Sequence, residues 1–113
     1  MHELALTERM LALALDAAER NGARRILRID IRLGVLSGVV PSCVEYYFRL
    51  QSKGTIAEGA ELDMTAVPLR ISCRSCGKES SSDRTLLACP VCGSEDFRLL
   101  SGREYFVESL VAE

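Results

Sequence analysis

Ser72-Cys73-Arg74-Ser75-Cys76-Gly77 and, further on, Cys89-Pro90-Val91-Cys92-Gly93-Ser94 decide how the rest of this 113-residue chain is read. Both pairs lie in a stretch, residues 72–101, dominated by Ser, Gly, Lys, Asp and Glu. From Ser72 to Phe97 its large apolar residues are only Leu86, Leu87, Val91 and Phe97. About 30 residues with so little to bury do not offset their ordering entropy without a staple. Two residues between paired cysteines let both sulfurs reach one ion from a tight turn. The glycine after each second cysteine permits positive φ, which turns backbone N–H groups towards the thiolates. Two such knuckles face to face make a closed S₄ site at Cys73, Cys76, Cys89 and Cys92, suited to structural Zn(II). With four positions filled by protein, such an ion has no place for water or substrate, so it is a folding element and not a catalytic metal. Iron satisfies the same spacing, and two local disulfides are the covalent alternative. The chain opens without the basic and apolar segments of a secretory leader, so a cytoplasmic setting with reduced thiols is expected. The fifth cysteine, Cys43, stands alone and reads as a small buried hydrophobe.

Outward from this stretch the pattern becomes that of an ordinary folded domain. Residues 4–21 repeat apolar side chains at helical spacing (Leu4, Met10 or Leu11, Leu15, Ala18), with Arg9, Asp16, Glu19 and Arg20 opposite. Asn21-Gly22 is a helix stop. Residues 24–33 alternate, with Leu27, Ile29, Ile31 and Leu33 on one side and Arg28, Asp30 and Arg32 on the other, a strand with one buried face. Residues 41–53 predict a second helix, with Pro41 in its first turn and an apolar stripe of Val44, Tyr47 and Phe48. Residues 60–71, with Leu62, Met64 and Ala66 inward, and residues 103–112 predict two further strands. The expected fold class is therefore α+β: two helices and a small three-stranded sheet, residues 1–71 and 102–113, interrupted by an inserted Cys₄ zinc-ribbon-like module at 72–101.

Composition narrows function. No apolar run approaches the ~18 residues of a membrane span. The 14 Lys and Arg against 16 Asp and Glu give a formal charge of −2; four thiolates holding one divalent ion move the working value nearer to −4. Within 72–101, Arg74, Lys78, Arg84 and Arg98 balance Glu79, Asp83, Glu95 and Asp96. A zinc-ribbon binding module for nucleic acid or transcription machinery is the alternative reading of the knuckles, but such modules carry a basic face with stacking aromatics. No nucleophile motif or phosphate loop is present, so an enzyme is not expected.

The one histidine is His2, between Met1 and Glu3. A frayed, solvated terminus is the plain reading. The chemical one is chelation: the α-amine, the backbone nitrogen of residue 2 and the imidazole can close fused rings around Ni(II) or Cu(II), ions that favour nitrogen-rich square-planar sites. N–H groups at a helix start have no intrahelical acceptor, so giving one up costs no helix hydrogen bond. Glu3 adds negative charge near the metal.

Met1-His2-Glu3-Leu4, Gly34-x-Leu36-Ser37-Gly38-Val39, Ser52-Lys53-Gly54-Thr55, Glu58-Gly59-Ala60-Glu61-Leu62, the two cysteine knuckles and Ser101-Gly102-Arg103-Glu104 together resemble the HypA/HybF family of nickel-delivery proteins, in order and over essentially the whole chain. The resemblance implies a nickel metallochaperone of nickel–iron hydrogenase maturation, with some relatives serving urease. It implies Ni(II) as transferred cargo, held by His2 with backbone nitrogens near Met1 and Glu3, and structural Zn(II) on the four cysteines. It implies as partners a maturation GTPase, the hydrogenase large subunit or its maturation complex, and in some members urease maturation proteins; a homodimer is compatible with it. It also implies two helices packed on a small three-stranded sheet, with the zinc module inserted before the last strand. The chain departs from relatives at Val35 and Val40, where acidic residues occur, so the resemblance carries no side-chain oxygen ligand from that loop.

Overall fold

The buried side chains of the first helix show how it is seated. In a computed structural model that describes residues 3–113, α1 (Glu3–Arg20) buries Thr7, Met10, Leu11, Ala14 and Ala18. Their steps of three and four follow the helical period. Ala14 takes the buried place expected for Leu15, and the stripe stops at Thr7, leaving Leu4 exposed. The helix ends as Asn21-Gly22 predicts: Gly22 has φ 66°, and the N–H groups of Gly22 and Ala23 return to Glu19 O and Ala18 O.

In β1 (Ile26–Gly34) the alternation holds from Ile29 through Ile31 to Leu33, all buried. Leu27, expected with them, is exposed. Ile26 is buried in its stead, its N–H donating to Ile56 O at 2.8 Å. Helix α2 (Pro41–Gln51) starts with Pro41 in its first turn, where a missing N–H costs nothing, and buries Val44 and Phe48. It stops two residues short of the predicted end. Ser52, buried behind it, donates its N–H to Phe48 O and accepts Thr55 Oγ1 on its carbonyl.

The strands β2 (Glu61–Val67), β3 (Leu69–Cys73), β4 (Glu79–Ser82), β5 (Phe97–Ser101) and β6 (Tyr105–Ala112) complete the order. One three-stranded sheet runs β2-β1-β6, which is the expected sheet, and a second runs β4-β3-β5. The single strand read over 60–71 is in fact two strands in two sheets. Pro68 separates them: it has no N–H for a ladder, so the pairing of β2 ends there and β3 begins with new partners. Ala66, placed inward by that reading, is exposed. β3 pairs antiparallel with β4 (Ile71↔Ser80) and with β5 (Ile71↔Leu99), with an irregularity between Arg70 and Ile71.

The chain divides into two compact units. One comprises residues up to Arg32, Gly38–Thr65 and Phe106–Glu113; its buried apolar side chains come from α1, α2, β1 and Ala57. The other comprises Leu33–Ser37 and Ala66–Tyr105; Leu69, Ile71, Cys73 and Cys89 are its most deeply buried side chains. No helix among the described residues is long and apolar enough to cross a membrane.

Candidate metal centre

The first knuckle grows out of β3. Cys73, the last residue of that strand, donates its N–H to Lys78 O at 2.9 Å, and its carbonyl accepts the N–H of Gly77 at 3.0 Å. Those two bonds turn the chain back into β4. The second knuckle repeats the device before β5: Cys89 N–H donates to Ser94 O at 2.7 Å, and Gly93 N–H to Cys89 O at 2.8 Å. Gly77 and Gly93 have φ of 75° and 80°, and nothing lies within 4 Å of where a Cβ would sit on either. The conformation, not the space, calls for glycine at both.

Cys73, Cys76, Cys89 and Cys92 are thereby brought together, their sulfurs all within 4.8 Å of one another. Each knuckle contributes one buried cysteine, Cys73 or Cys89, and one exposed, Cys76 or Cys92. Across the knuckles, Cys73 Sγ lies 3.6 Å from Cys92 Sγ and Cys76 Sγ lies 3.8 Å from Cys89 Sγ. Zn–S bonds of about 2.3 Å in a tetrahedron give sulfur–sulfur edges of about 3.8 Å, so the donor set fits that ion in kind, number and spacing.

The electrostatics of the group call for a cation. The Cys76 N–H, 3.4 Å from Cys73 Sγ, is the main cause that pulls the Cys73 thiol down to about 6. The Cys89 thiol is lowered chiefly by the Cys92 N–H. At Cys92 the Ser94 N–H pulls down, but Cys73 Sγ, burial and the other two sulfurs outweigh it and push the thiol up to about 11. Four sulfurs this close do not all ionise at neutral pH until a positive ion neutralises them.

Further contacts, which no spacing rule announces, tie one knuckle to the other. Arg74 N–H donates to Asp96 O at 3.0 Å, and its guanidinium pairs with the Asp96 carboxylate at 2.9 Å. Ser75 Oγ and Ser94 Oγ are 2.8 Å apart, and Ser94 Oγ accepts the Asp96 N–H. Arg70 pairs with Glu79 across β3 and β4. Two of this unit's arginines, Arg70 and Arg74, are thus matched by carboxylates.

Other residues singled out in the sequence fall elsewhere. His2 and Met1 lie outside the described residues. Glu3 is the first residue of α1, and its Oε2 accepts the Val40 N–H at 3.2 Å. Val40 therefore meets Glu3 through its backbone. Cys43, half-buried on α2, is not one of the clustered sulfurs. Val35 N–H donates to Val67 O. The segments 34–38 and 101–104, separate motifs in the sequence, form one corner. Gly34 N–H donates to Glu104 O and Leu36 N–H to Gly102 O, both at 2.6 Å. The Glu104 carboxyl, accepting the Gly102 N–H at 2.6 Å, is held below the usual carboxylate range by that bond.

Comparison with known proteins gives a consistent result. Residues 1–112 match the family model described as hydrogenase/urease nickel incorporation, metallochaperone, hypA. The hydrogenase maturation factor HypA of Aquifex aeolicus (strain VF5) is 40% identical over 113 residues, covering 100% of this chain and 98% of the relative. That of Geobacter metallireducens is 38% identical and covers 100% of both. Among solved structures, the Ni metallochaperone HypA from Helicobacter pylori has the same fold, with a TM-score of 0.68 at 23% identity over 99% of this chain and 97% of that one.

Proposed function

Because this chain belongs to the hydrogenase/urease nickel-incorporation metallochaperone family, we propose that it binds Ni(II) as cargo at its amino terminus and hands it on during nickel–iron hydrogenase maturation, while a resident Zn(II) holds its cysteine knuckles. The protein is a carrier and not an enzyme. The observation that carries the site assignment is the closed cysteine group. Cys73, Cys76, Cys89 and Cys92 offer one sulfur each within 4.8 Å, a complete ligand set for one ion. A delivered ion needs a different, open place, and His2 is the chain's single imidazole. A nitrogen-rich terminus with backbone nitrogens near Met1 and Glu3 suits Ni(II).

In the same reading the partners are the GTPase of the maturation system and the hydrogenase large subunit or its maturation complex, with urease maturation proteins as a second destination. The setting is the cytoplasm, where the five cysteines, all free of disulfides, stay reduced.

Nickel titration of untagged protein tests the assignment. His2→Ala is expected to lose the nickel site while zinc stays at one ion per chain. Wild-type binding should weaken as pH falls below ~6.5, since protons compete for imidazole and amine. Unchanged nickel affinity in His2→Ala would remove the assignment.

A further inference from the structure

Each cysteine knuckle presents one sulfur-bearing residue to solvent and hides the other. Cys76 and Cys92 are exposed, whereas Cys73 and Cys89 are buried. The close sulfur contacts run between knuckles, and each joins an exposed cysteine to a buried one. Cys92 Sγ lies 3.6 Å from Cys73 Sγ, and Cys76 Sγ lies 3.8 Å from Cys89 Sγ. A metal-bound cysteine is a thiolate outright, and the thiolate is the form that reacts as a nucleophile. Cysteines that respond to oxidants are accessible and stand beside a second thiol that resolves the first product. Both cross-knuckle pairs meet that description.

A second observation concerns what holds the knuckles together apart from an ion. Arg74 donates its N–H to Asp96 O at 3.0 Å and pairs with the Asp96 carboxylate at 2.9 Å. Ser75 Oγ and Ser94 Oγ are 2.8 Å apart, and β3 sets Cys73 opposite Phe97. None of these contacts uses a sulfur. They tie the first knuckle to the residues just past the second, so the opposed sulfurs keep facing one another without metal. A disulfide needs its sulfurs at about 2 Å, a closure from 3.6 or 3.8 Å that side-chain rotation supplies. A disulfide within one knuckle would clip a turn already closed by Gly77 or Gly93 and would join nothing across.

We propose that the cysteine group is also a modification site for peroxides, a reversible switch in which cross-knuckle disulfides take the place of the ion. This rests on the reading of the four cysteines as a zinc site. With hydrogen peroxide, the Cys92 thiolate attacks one oxygen and the O–O bond breaks. The sulfur keeps a hydroxyl as a sulfenic acid, and the other oxygen leaves as water after taking a proton. The Cys73 thiolate then attacks the Cys92 sulfur, whose hydroxyl leaves with a second proton as water. Cys76 and Cys89 repeat both steps with a second peroxide. Each disulfide thus consumes two thiolates, one peroxide and two protons and yields two waters; the sulfurs are oxidised and the peroxide is reduced. Zn(II) loses its thiolates and departs with its charge unchanged. The knuckles stay stapled, so β3, β4 and β5 remain ordered, and the site takes zinc again once a thiol reductant reopens the disulfides.

Zinc-loaded full-length protein tests this, with hydrogen peroxide as the probe. A colorimetric chelator should register release of one zinc per chain, and dithiothreitol with Zn²⁺ should restore it. Trypsin separates Cys73 from Cys76 at Arg74 and leaves Cys89 and Cys92 in one peptide, residues 85–98. Without reduction, peptides 71–74 and 75–78 should each travel joined to 85–98, with fragmentation placing the bonds at Cys73–Cys92 and Cys76–Cys89. Hydrogen exchange should find β3, β4 and β5 protected in the oxidised protein, unlike protein stripped of zinc by a chelator under reducing conditions. Zinc retained under peroxide, a 71–74 peptide joined to 75–78, or sulfinic acids at Cys76 and Cys92 in place of disulfides would overturn the switch and leave the zinc site standing. Protein that holds no zinc before peroxide is added would remove the zinc reading and the switch with it.

Discussion

At Gly34 a methyl group has nowhere to go. A Cβ placed there would overlap the carbonyl of Gly102 and crowd the nitrogen of Arg103, all of it backbone. Flexible side chains can swing aside, but hydrogen-bonded main chain in the same corner does not. Gly34→Ala is therefore expected to destabilise the protein by about 3 kcal/mol, in the range of severe overpacking. A thermal melt against wild type measures it, and a melting temperature within a degree or so of wild type would show that the corner gives way. The glycines of the knuckles are a different case. Space is open around Gly77 and Gly93, and their positive φ is what matters. An alanine there strains its own backbone without striking a neighbour, so its cost should be smaller than at Gly34.

The element that best separates the two metals' roles is the β4-β3-β5 sheet. Its strands are short, and β4 is Glu79-Ser80-Ser81-Ser82, a run with no apolar side chain to bury. What orders it is pairing with β3 and the knuckle that joins the two strands. Cys73→Ser or Cys92→Ala should therefore lose zinc and leave β3, β4 and β5 open to hydrogen exchange, while α1 and α2 keep their far-UV signal. Zinc binding to such sites supplies on the order of 10 kcal/mol, more than a sheet of this size gains from its own burial. A collapse of the helices together with the sheet would show that the whole chain folds as one unit.

The same strands mark the border of what could be read beforehand. The knuckles were legible because metal chemistry fixes spacing, and β1 because Ile29, Ile31 and Leu33 alternate. β4 was not, since serine has little strand preference of its own and acquires it only from Leu69 and Ile71 opposite. The break at Pro68 carried a signal, a proline inside a strand pattern, which the apolar alternation around it outweighed. At the candidate nickel site, His2 and Glu3 stood out in the sequence. The bonds that hold the residues after His2 did not: Thr7 fills a helical core position and donates to Glu3 O within its own helix, and Gln51, polar at a helix end, reaches Leu4 O only because α1 packs near α2.

At the scale of the whole molecule, the proposed function divides retention from release: four cysteines form a closed ligand set for one ion, and the cargo ion is assigned to a separate nitrogen-rich site. The corner made by Gly34, Leu36, Gly102 and Glu104 adds a constraint in time. Its hydrogen bonds join segments far apart in sequence, and nearly all the second unit lies between them. Closing so long a loop is slow, because the entropy is lost before any bond rewards it. Metal capture by the cysteines ties up the middle of that loop first and brings its ends nearer. Zinc would then speed closure of the corner as well as staple the knuckles: in a Tyr46→Phe, Tyr47→Phe background that leaves Tyr105 as the one tyrosine, refolding with a chelator present should recover the native corner more slowly than refolding with Zn²⁺ by stopped-flow fluorescence, and equal rates would show that the corner closes without help.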